Sequence, residues 1–99
     1  GPGGAYHEYD VRFRPPHEPH GTFLRIKFQN GPIGETDANG VTNEALLAIV
    51  AHRLECFQVG QFPCEENAQA LTKVREALHW LHQRTADRKR RGVEGKTEA

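Results

Sequence analysis

The chain has 99 residues, of which 36% are hydrophobic, and its 13 basic side chains match its 13 acidic ones. This length allows one small domain with a thin core, and such a domain often gains stability by self-association. The formal net charge of zero argues against a protein that coats nucleic acid through general basicity. We find no signal peptide or long apolar span, and therefore expect a reduced, cytosolic protein in which Cys56 and Cys64 are packing residues.

The first part of the chain predicts a two-stranded antiparallel β-ribbon over residues 6–29. Residues 1–5 read as a tag remnant and are left out of the fold. Polar and apolar residues then alternate from Tyr6 to Arg14 and again from Thr22 to Gln29, which is typical of half-buried strands. Pro15, Pro16 and Pro19 prevent regular structure between the two segments. The apolar positions are Tyr9, Val11, Phe13, Leu24, Ile26 and Phe28.

A loop over residues 30–41 leads into a predicted helical hairpin over residues 42–92. Thr42 caps the first helix, which runs to about Gln58, and Gly60 ends it. The second helix starts at Pro63 and continues to Arg91, with Gly92 as its stop. The apolar stripes are Leu46, Ile49, Val50, Leu54 and Phe57 on the first helix, and Leu71, Val74, Leu78 and Leu81 on the second. The expected fold is a single α+β domain over residues 6–92, oligomeric, with a flexible tail over residues 93–99.

The end of the second helix carries a cluster of basic residues. Arg84–Arg91 holds five basic residues and one acidic residue in eight positions, a local net charge of +4. Arg84, Arg88 and Arg91 share one helix face, and a guanidinium group can hold two phosphate oxygens at once. The pattern favours a site for a phosphorylated ligand. The alternative is a solvated helix end whose arginines favour the negative end of the helix dipole. Trp80, one turn earlier, could stack on a base or belong to the core.

Two further residues are candidates at the other end of the hairpin. Phe57 ends the first helix and Asn67 lies in the first turns of the second, whereas Arg84 is far along the second helix. These groups cannot converge within one chain, but they can across an antiparallel pair of hairpins. The alternatives are a packing role for Phe57 and a surface or capping role for Asn67.

The residues give no positive indication of catalysis. His79 and His82 have a spacing that could ligate a metal, but no third ligand stands at an obvious spacing. There is no evident nucleophile with a base, and no glycine-rich phosphate loop. We therefore predict a protein without enzymatic activity, metal or cofactor.

Several segments resemble the phage anti-Thoeris nucleotide sponges, whose helical hairpin domain is shared with anti-CBASS sponges. The resemblance covers roughly residues 22–96. Its most specific part is the tail Arg-Thr-x-Asp-Arg-x-Arg-Arg-Gly-Val-Glu-Gly, which starts at Arg84. The other segments are Phe28–Ile33, Gly40–Val50, the run from Trp80 to Gln83, and Asn67-Ala68 with Leu71-Thr72.

The resemblance implies a protein that binds a cyclised ADP-ribose signal and withholds it from the defence effector in the cytoplasm of the infected bacterium. Such proteins are oligomers built from dimers, often hexamers, with ligand at subunit interfaces. Carried over by motif, Phe57 would stack on the adenine and Asn67 would hydrogen-bond the base or ribose. Arg84 and Arg88 would hold the pyrophosphate, with Arg91 on the same face.

Some members of that family also bind cyclic di- or trinucleotides at separate sites. The candidate donors for such a second site here are Arg12, Arg14, Arg25 and Lys27, which equally suit a solvated strand face. Two other functions stay open on the residues alone. One is a small RNA- or DNA-binding module that uses the Arg84–Arg91 face, and the other is a dimerising adaptor without a ligand.

Overall fold

The computed structural model describes residues 4–17, 21–31 and 37–92. In this part of the chain the elements are two strands, β1 (Glu8–Phe13) and β2 (Thr22–Lys27), followed by two helices, α1 (Asn43–Val59) and α2 (Glu65–Arg90). They form two compact units that divide between Val41 and Thr42. The α+β class and the order of elements are confirmed, and the single-domain organisation stays a prediction. Most of the expected tag remnant (residues 1–3) and the tail (93–99) lie outside the described residues.

The first unit contains an antiparallel ribbon whose register separates two faces. Tyr9 pairs with Ile26 and Val11 with Leu24, whereas Asp10 pairs with Arg25 and Arg12 with Phe23. Because successive side chains point to opposite faces, one face is apolar and the other is charged around Phe23. The alternation therefore predicted the faces of both strands correctly. The strands are shorter than predicted, and the apolar face is largely exposed.

The segment after β2 is closed by amide side chains. The side-chain amide of Asn39 donates to the carbonyl of Asn30 at 2.9 Å, and its oxygen accepts from the Asn30 backbone N–H at 2.8 Å. Phe28 and Val41 form a parallel bridge beside this contact. Gly40 is needed there, because a Cβ atom at this position would lie 2.5 Å from the backbone carbonyl carbon of Phe28. The predicted loop is therefore tied back to the end of the ribbon.

Helix α1 begins where the sequence predicts. The Oγ1 of Thr42 accepts from the backbone N–H of Ala45 at 3.1 Å, which satisfies a donor in the first turn. Glu44 adds a negative charge at the positive end of the helix. The helix ends at Val59, and Gly60 follows with φ −88°, so it ends the helix without a left-handed conformation.

Helix α2 begins two residues later than predicted. The N-cap is Cys64, whose Sγ accepts from the backbone N–H of Asn67 at 3.4 Å. The expectation that Pro63 is the first helical residue is wrong, because the cap falls after it. The helix ends at Arg90, with Arg91 as its cap, and Gly92 adopts φ 73° as a glycine stop requires.

The two helices run antiparallel. The side chain of Gln58 both donates to the carbonyl of Cys64 and accepts from its N–H, each at 3.1 Å, which holds the end of α1 to the start of α2. Further along, Arg75 donates to Glu55 at 3.0 Å. The predicted antiparallel hairpin is confirmed.

The hairpin buries little of its apolar surface. Ala51 and Leu71 are the only buried residues in the described part of the chain. The predicted α2 stripe is confirmed, since Leu71 is buried and its other members are half-buried. The predicted α1 stripe is partly wrong. The face toward α2 is centred on Ala51, so Leu46 and Leu54 are half-buried while Ile49, Val50 and Phe57 are exposed. None of the described helices has the length and apolar character needed to cross a lipid bilayer.

Candidate functional site

The candidate residues lie at two ends of the hairpin. Phe57 is in the last turn of α1 and Asn67 is in the first turn of α2, so both lie at the connection. Arg84 is 17 residues beyond Asn67 on the same continuous helix. At a rise of about 1.5 Å per residue these two residues are about 26 Å apart along the axis. The structure thus brings Phe57 and Asn67 to one end and leaves the arginines at the other.

Phe57 presents an aromatic ring at the surface. The residue is 44% exposed, and the guanidinium carbon of Arg53 lies 5.0 Å from the ring centroid. The two residues are one helical turn apart, so they share a face of α1. Arg53 is not among the residues that the sequence pattern predicts for the site. The sequence feature that identifies it is a basic residue four positions before the aromatic candidate Phe57.

Asn67 has a free side-chain amide. Its backbone N–H is used by the Cys64 cap, but its side chain makes no hydrogen bond to any of the described residues. The residue is half-buried. The cap anchors the backbone of Asn67 at the start of α2, and the donors and acceptor of its side-chain amide remain available to a ligand.

The arginine cluster is divided by one carboxylate. Asp87, which lies one helical turn from both Arg84 and Arg91, forms an ion pair with Arg90. Gln83 also donates to Asp87, at 3.1 Å. The side chains of Arg84 and Arg91 have no ion pair within the described ranges, and both residues are exposed. Two guanidinium groups on the candidate face are therefore available to an anion, while Arg88 is half-buried.

Trp80 extends the same face toward the middle of the helix. It stands four residues before Arg84 and is 68% exposed, so it is not part of the protomer's core. Its indole packs edge-to-face against His79, with ring centroids 5.4 Å apart. An exposed aromatic ring beside uncompensated guanidinium groups can contact a base or a neighbouring chain.

On the charged face of the ribbon, Asp10 neutralises part of the second candidate site. Arg25 donates to both carboxylate oxygens of Asp10, at 2.9 and 3.3 Å, and Arg12 lies 3.8 Å from it. The hydrogen bond from Arg25 holds the pKa of Asp10 below its ordinary value of 3.8. Both guanidinium groups lie over the ring of Phe23, at 5.4 and 5.6 Å. Lys27 stands opposite Glu8 in the register.

A cavity of about 540 Å³ opens beside the strand ends of this ribbon. Arg12 and Arg14 line it together with Phe23, and Phe13, Gly21 and Thr22 complete the wall. Arg25 and Lys27 do not line it. Of the four basic residues named for a second site, the structure therefore brings two together around one space.

The two cysteines are not part of the hydrophobic core. Cys56 and Cys64 are both exposed free thiols, so the expectation that they are packing residues is wrong. Cys56 lies on the outward face of α1, with its Sγ 3.8 Å from Nε2 of His52, and Cys64 caps α2. Nowhere in the described ranges do three His, Cys, Asp or Glu side chains come close enough to hold one metal ion.

Comparison with known proteins places the hairpin in a family. The family model described as the Acb2/Tad1 hairpin domain matches residues 20–86, which is more than half of the chain. The chain is also 54% identical over 78 residues to a protein named "Thoeris anti-defense 1" from Bacillus phage SBSphiJ7. That alignment covers 79% of this chain and 55% of the relative, so the chain spans about half of the relative's length. The chain belongs to the Acb2/Tad1 hairpin-domain family.

Proposed function

We propose that this chain is a phage anti-defence protein that binds cyclic ADP-ribose-type immune signals and withholds them from the Thoeris effector. Its family and its relative named for Thoeris anti-defence support this function. The protein would act in the cytoplasm of the infected bacterium. It would work by occupancy alone, without enzymatic activity, because a reservoir needs only tight binding and a slow off-rate.

The observation that carries the proposal is the complementarity of the two ends of the hairpin. One end offers the exposed ring of Phe57 and the side-chain amide of Asn67, and the other offers the guanidinium groups of Arg84 and Arg91; apart from the Arg53–Phe57 contact, none of these groups has a partner among the described residues. In an antiparallel pair of copies the connection of one meets the arginine end of the other. Phe57 then stacks on adenine, Asn67 hydrogen-bonds the base or ribose, and Arg84 and Arg88 hold the pyrophosphate.

This composite site requires self-association, which we propose as a dimer that assembles further into a hexamer, a trimer of dimers. The exposed apolar residues of the hairpin support it, because a monomer would leave them in water. They are Ile49, Val50, Phe57, Val59, Phe62 and Trp80. A preformed interface would also order the pocket before the ligand arrives, which reduces the entropic cost of binding.

A second nucleotide site, for cyclic di- or trinucleotides of the CBASS type, is proposed on the ribbon. The cavity lined by Arg12, Arg14 and Phe23 supports it, since guanidinium groups and an aromatic ring suit a phosphate and a base. Arg25 and Lys27, which face Asp10 and Glu8, would contribute less.

The alternative function is binding of an RNA or DNA polymer along the Arg84–Arg91 face. The exposed Trp80 next to Arg84 favours it, because single-stranded nucleic acid stacks on aromatic rings beside basic grooves. Polymer binding would weaken steeply as salt rises, through counterion release.

Calorimetry with cyclic ADP-ribose isomers tests the proposal. We expect saturable binding at nanomolar dissociation constants, about −12 kcal/mol, because the signal must be taken from a competing sensor. Linear ADP-ribose serves as the control for cyclisation, and an oligonucleotide tests the alternative. Binding of the oligonucleotide but of no cyclic isomer would establish the polymer function instead.

The fate of the ligand distinguishes sequestration from catalysis. Protein is incubated with excess cyclic isomer and denatured by heat, and the supernatant is separated by chromatography. We expect the original compound to be recovered. Accumulation of linear ADP-ribose beyond one equivalent per site would identify an enzyme and refute sequestration.

A further inference from the structure

We propose that Arg53 is a positioning residue of the nucleotide site: it covers one face of Phe57 and leaves the other face for a single purine. The inference rests on the proposed function. It adds a residue that neither the sequence nor the comparisons assign, and it limits each Phe57 to one stacked base.

The geometry of α1 gives the first argument. Arg53 precedes Phe57 by one helical turn, and its guanidinium carbon lies 5.0 Å from the ring centroid. This is within the range of a cation–π contact, so the cation holds the ring against its own helix. A ring with one face occupied by its own chain has only one face left for a ligand.

The charge of Arg53 gives the second argument. No carboxylate of the described residues forms an ion pair with it, whereas Arg75 is paired with Glu55 and Arg25 with Asp10. No described carboxylate therefore compensates its charge, which is available to polarise the ring. A purine that stacks on a ring already held by a cation gains from the ring's fixed orientation, because less side-chain freedom is lost on binding.

The surroundings of Arg53 give the third argument. The outward face of α1 carries Ile49 and Val50 on one side of Arg53 and Phe57 on the other, and all three are exposed. A cation between apolar side chains interacts more strongly once a ligand or a neighbour excludes water from that face. The contact with Phe57 should thus strengthen when the site is filled.

The experiment measures binding of a cyclic ADP-ribose isomer by wild type, Arg53→Gln, Phe57→Ala and the double variant. Arg53→Gln should weaken binding about three- to thirtyfold through a faster off-rate, which is the range of a cation–π contact. In the Phe57→Ala background the same substitution should have no further effect, because Arg53 acts through the ring. Arg53→Lys should recover part of the affinity. Lys73→Gln, which removes an exposed positive charge elsewhere on the hairpin, is the matched control and should leave affinity unchanged.

The outcomes separate the two proposals. Wild type that binds no isomer overturns the proposed function together with this inference. If wild type binds an isomer and the Arg53→Gln variant binds it with the same affinity, the inference alone is overturned. The inference is also overturned if the double variant loses the sum of the binding free energies lost in the two single variants. Such a result would mean that Arg53 acts by its charge and not through Phe57. Far-UV circular dichroism of each variant shows whether the helices are retained, and a ring-current shift of the Arg53 side-chain protons tests the contact without ligand.

Discussion

A single carboxylate, Asp87, lies among the arginines at the end of α2 and forms an ion pair with one of them. Asp87 stands one turn from both Arg84 and Arg91, but its observed partners are Arg90 and the side-chain amide of Gln83. Arg84 and Arg91 keep their charge, and a phosphate placed there would meet guanidinium groups that no described carboxylate competes for. Within the described residues, this leaves two exposed guanidinium groups on one helix face without an ion pair.

Replacement of Arg84 or Arg88 by alanine should weaken binding of a cyclic ADP-ribose isomer about ten- to a hundredfold, because one charge-assisted hydrogen bond to phosphate is worth about 1.5–3 kcal/mol. Calorimetry measures the loss, and light scattering shows whether assembly is kept. Lys73→Ala is the control for a charge removed outside the site. Unchanged affinity in both arginine variants would return these residues to a solvated helix end.

The Asp10–Arg25 ion pair makes a second prediction at this scale. The pKa of Asp10 is lowered by the hydrogen bond from Arg25, so the pair stabilises the ribbon at neutral pH. That stabilisation is lost as the pH falls through the lowered pKa, because a depressed folded-state pKa means that the unfolded chain binds the proton first. An NMR titration of the Asp10 carboxyl should give a value below 3.8 in wild type and a higher one in Arg25→Gln. Equal values in the two proteins would contradict the pairing.

At the scale of elements, local signals explain how much of the fold the sequence could predict. Alternation in the ribbon, the Thr42 cap and the Gly92 stop are each set by neighbouring residues, and each was read correctly. The α1 stripe was misread because periodicity marks apolar residues and cannot say which of them meet α2 within one chain. The small residue Ala51 lies at the contact instead.

Prediction of the site is limited in the same way, because sequence patterns mark residue types but not the contacts between side chains. Basic and aromatic candidates stand out by residue type, whereas the cap by Cys64 and the stacking of Arg53 on Phe57 depend on side-chain positions. Thiol caps are weak signals, since serine, threonine, aspartate and asparagine dominate at that position. A cation one turn before an aromatic ring is too frequent on helices to be singled out alone.

Removal of the Thr42 cap should destabilise the hairpin. Thr42→Ala leaves a backbone donor of α1 without its partner, which costs about 1 kcal/mol, or about 4–8 °C in Tm for a domain of this size. Thermal unfolding followed by far-UV circular dichroism at one protein concentration measures it. Thr72→Ala is the control, because that hydroxyl donates to Ala68 within the helix and should not be needed for a helix end. An equal change in the two variants would contradict the capping role.

At the scale of the whole molecule, the protein exposes more apolar surface than a stable monomer of this size usually does. Just two described residues are buried, while Ile49, Trp80 and Phe62 are 63%, 68% and 80% exposed. Small chains with so little core commonly complete it with copies of themselves.

We therefore expect an oligomer at micromolar concentration. Light scattering should give a mass that is a multiple of 11.1 kDa and falls on dilution. Trp80, the only tryptophan, should shift its fluorescence to the red as the oligomer dissociates, because its indole becomes more hydrated. Ile49→Ser should shift the equilibrium toward the monomer, and Lys73→Ala should not. A constant monomer mass would remove the composite site.

The two hydrogen bonds between the side chain of Gln58 and the backbone of Cys64 have a consequence for the folding rate. They close the hairpin across six residues, and the ribbon's strands are joined by a similarly short connection. Contacts that are this local in sequence favour folding in microseconds to milliseconds, since little loop entropy is lost before they form. Each newly made chain should thus complete its secondary structure long before it encounters another copy. Self-association would then be a separate, bimolecular step, and its rate would rise with protein concentration.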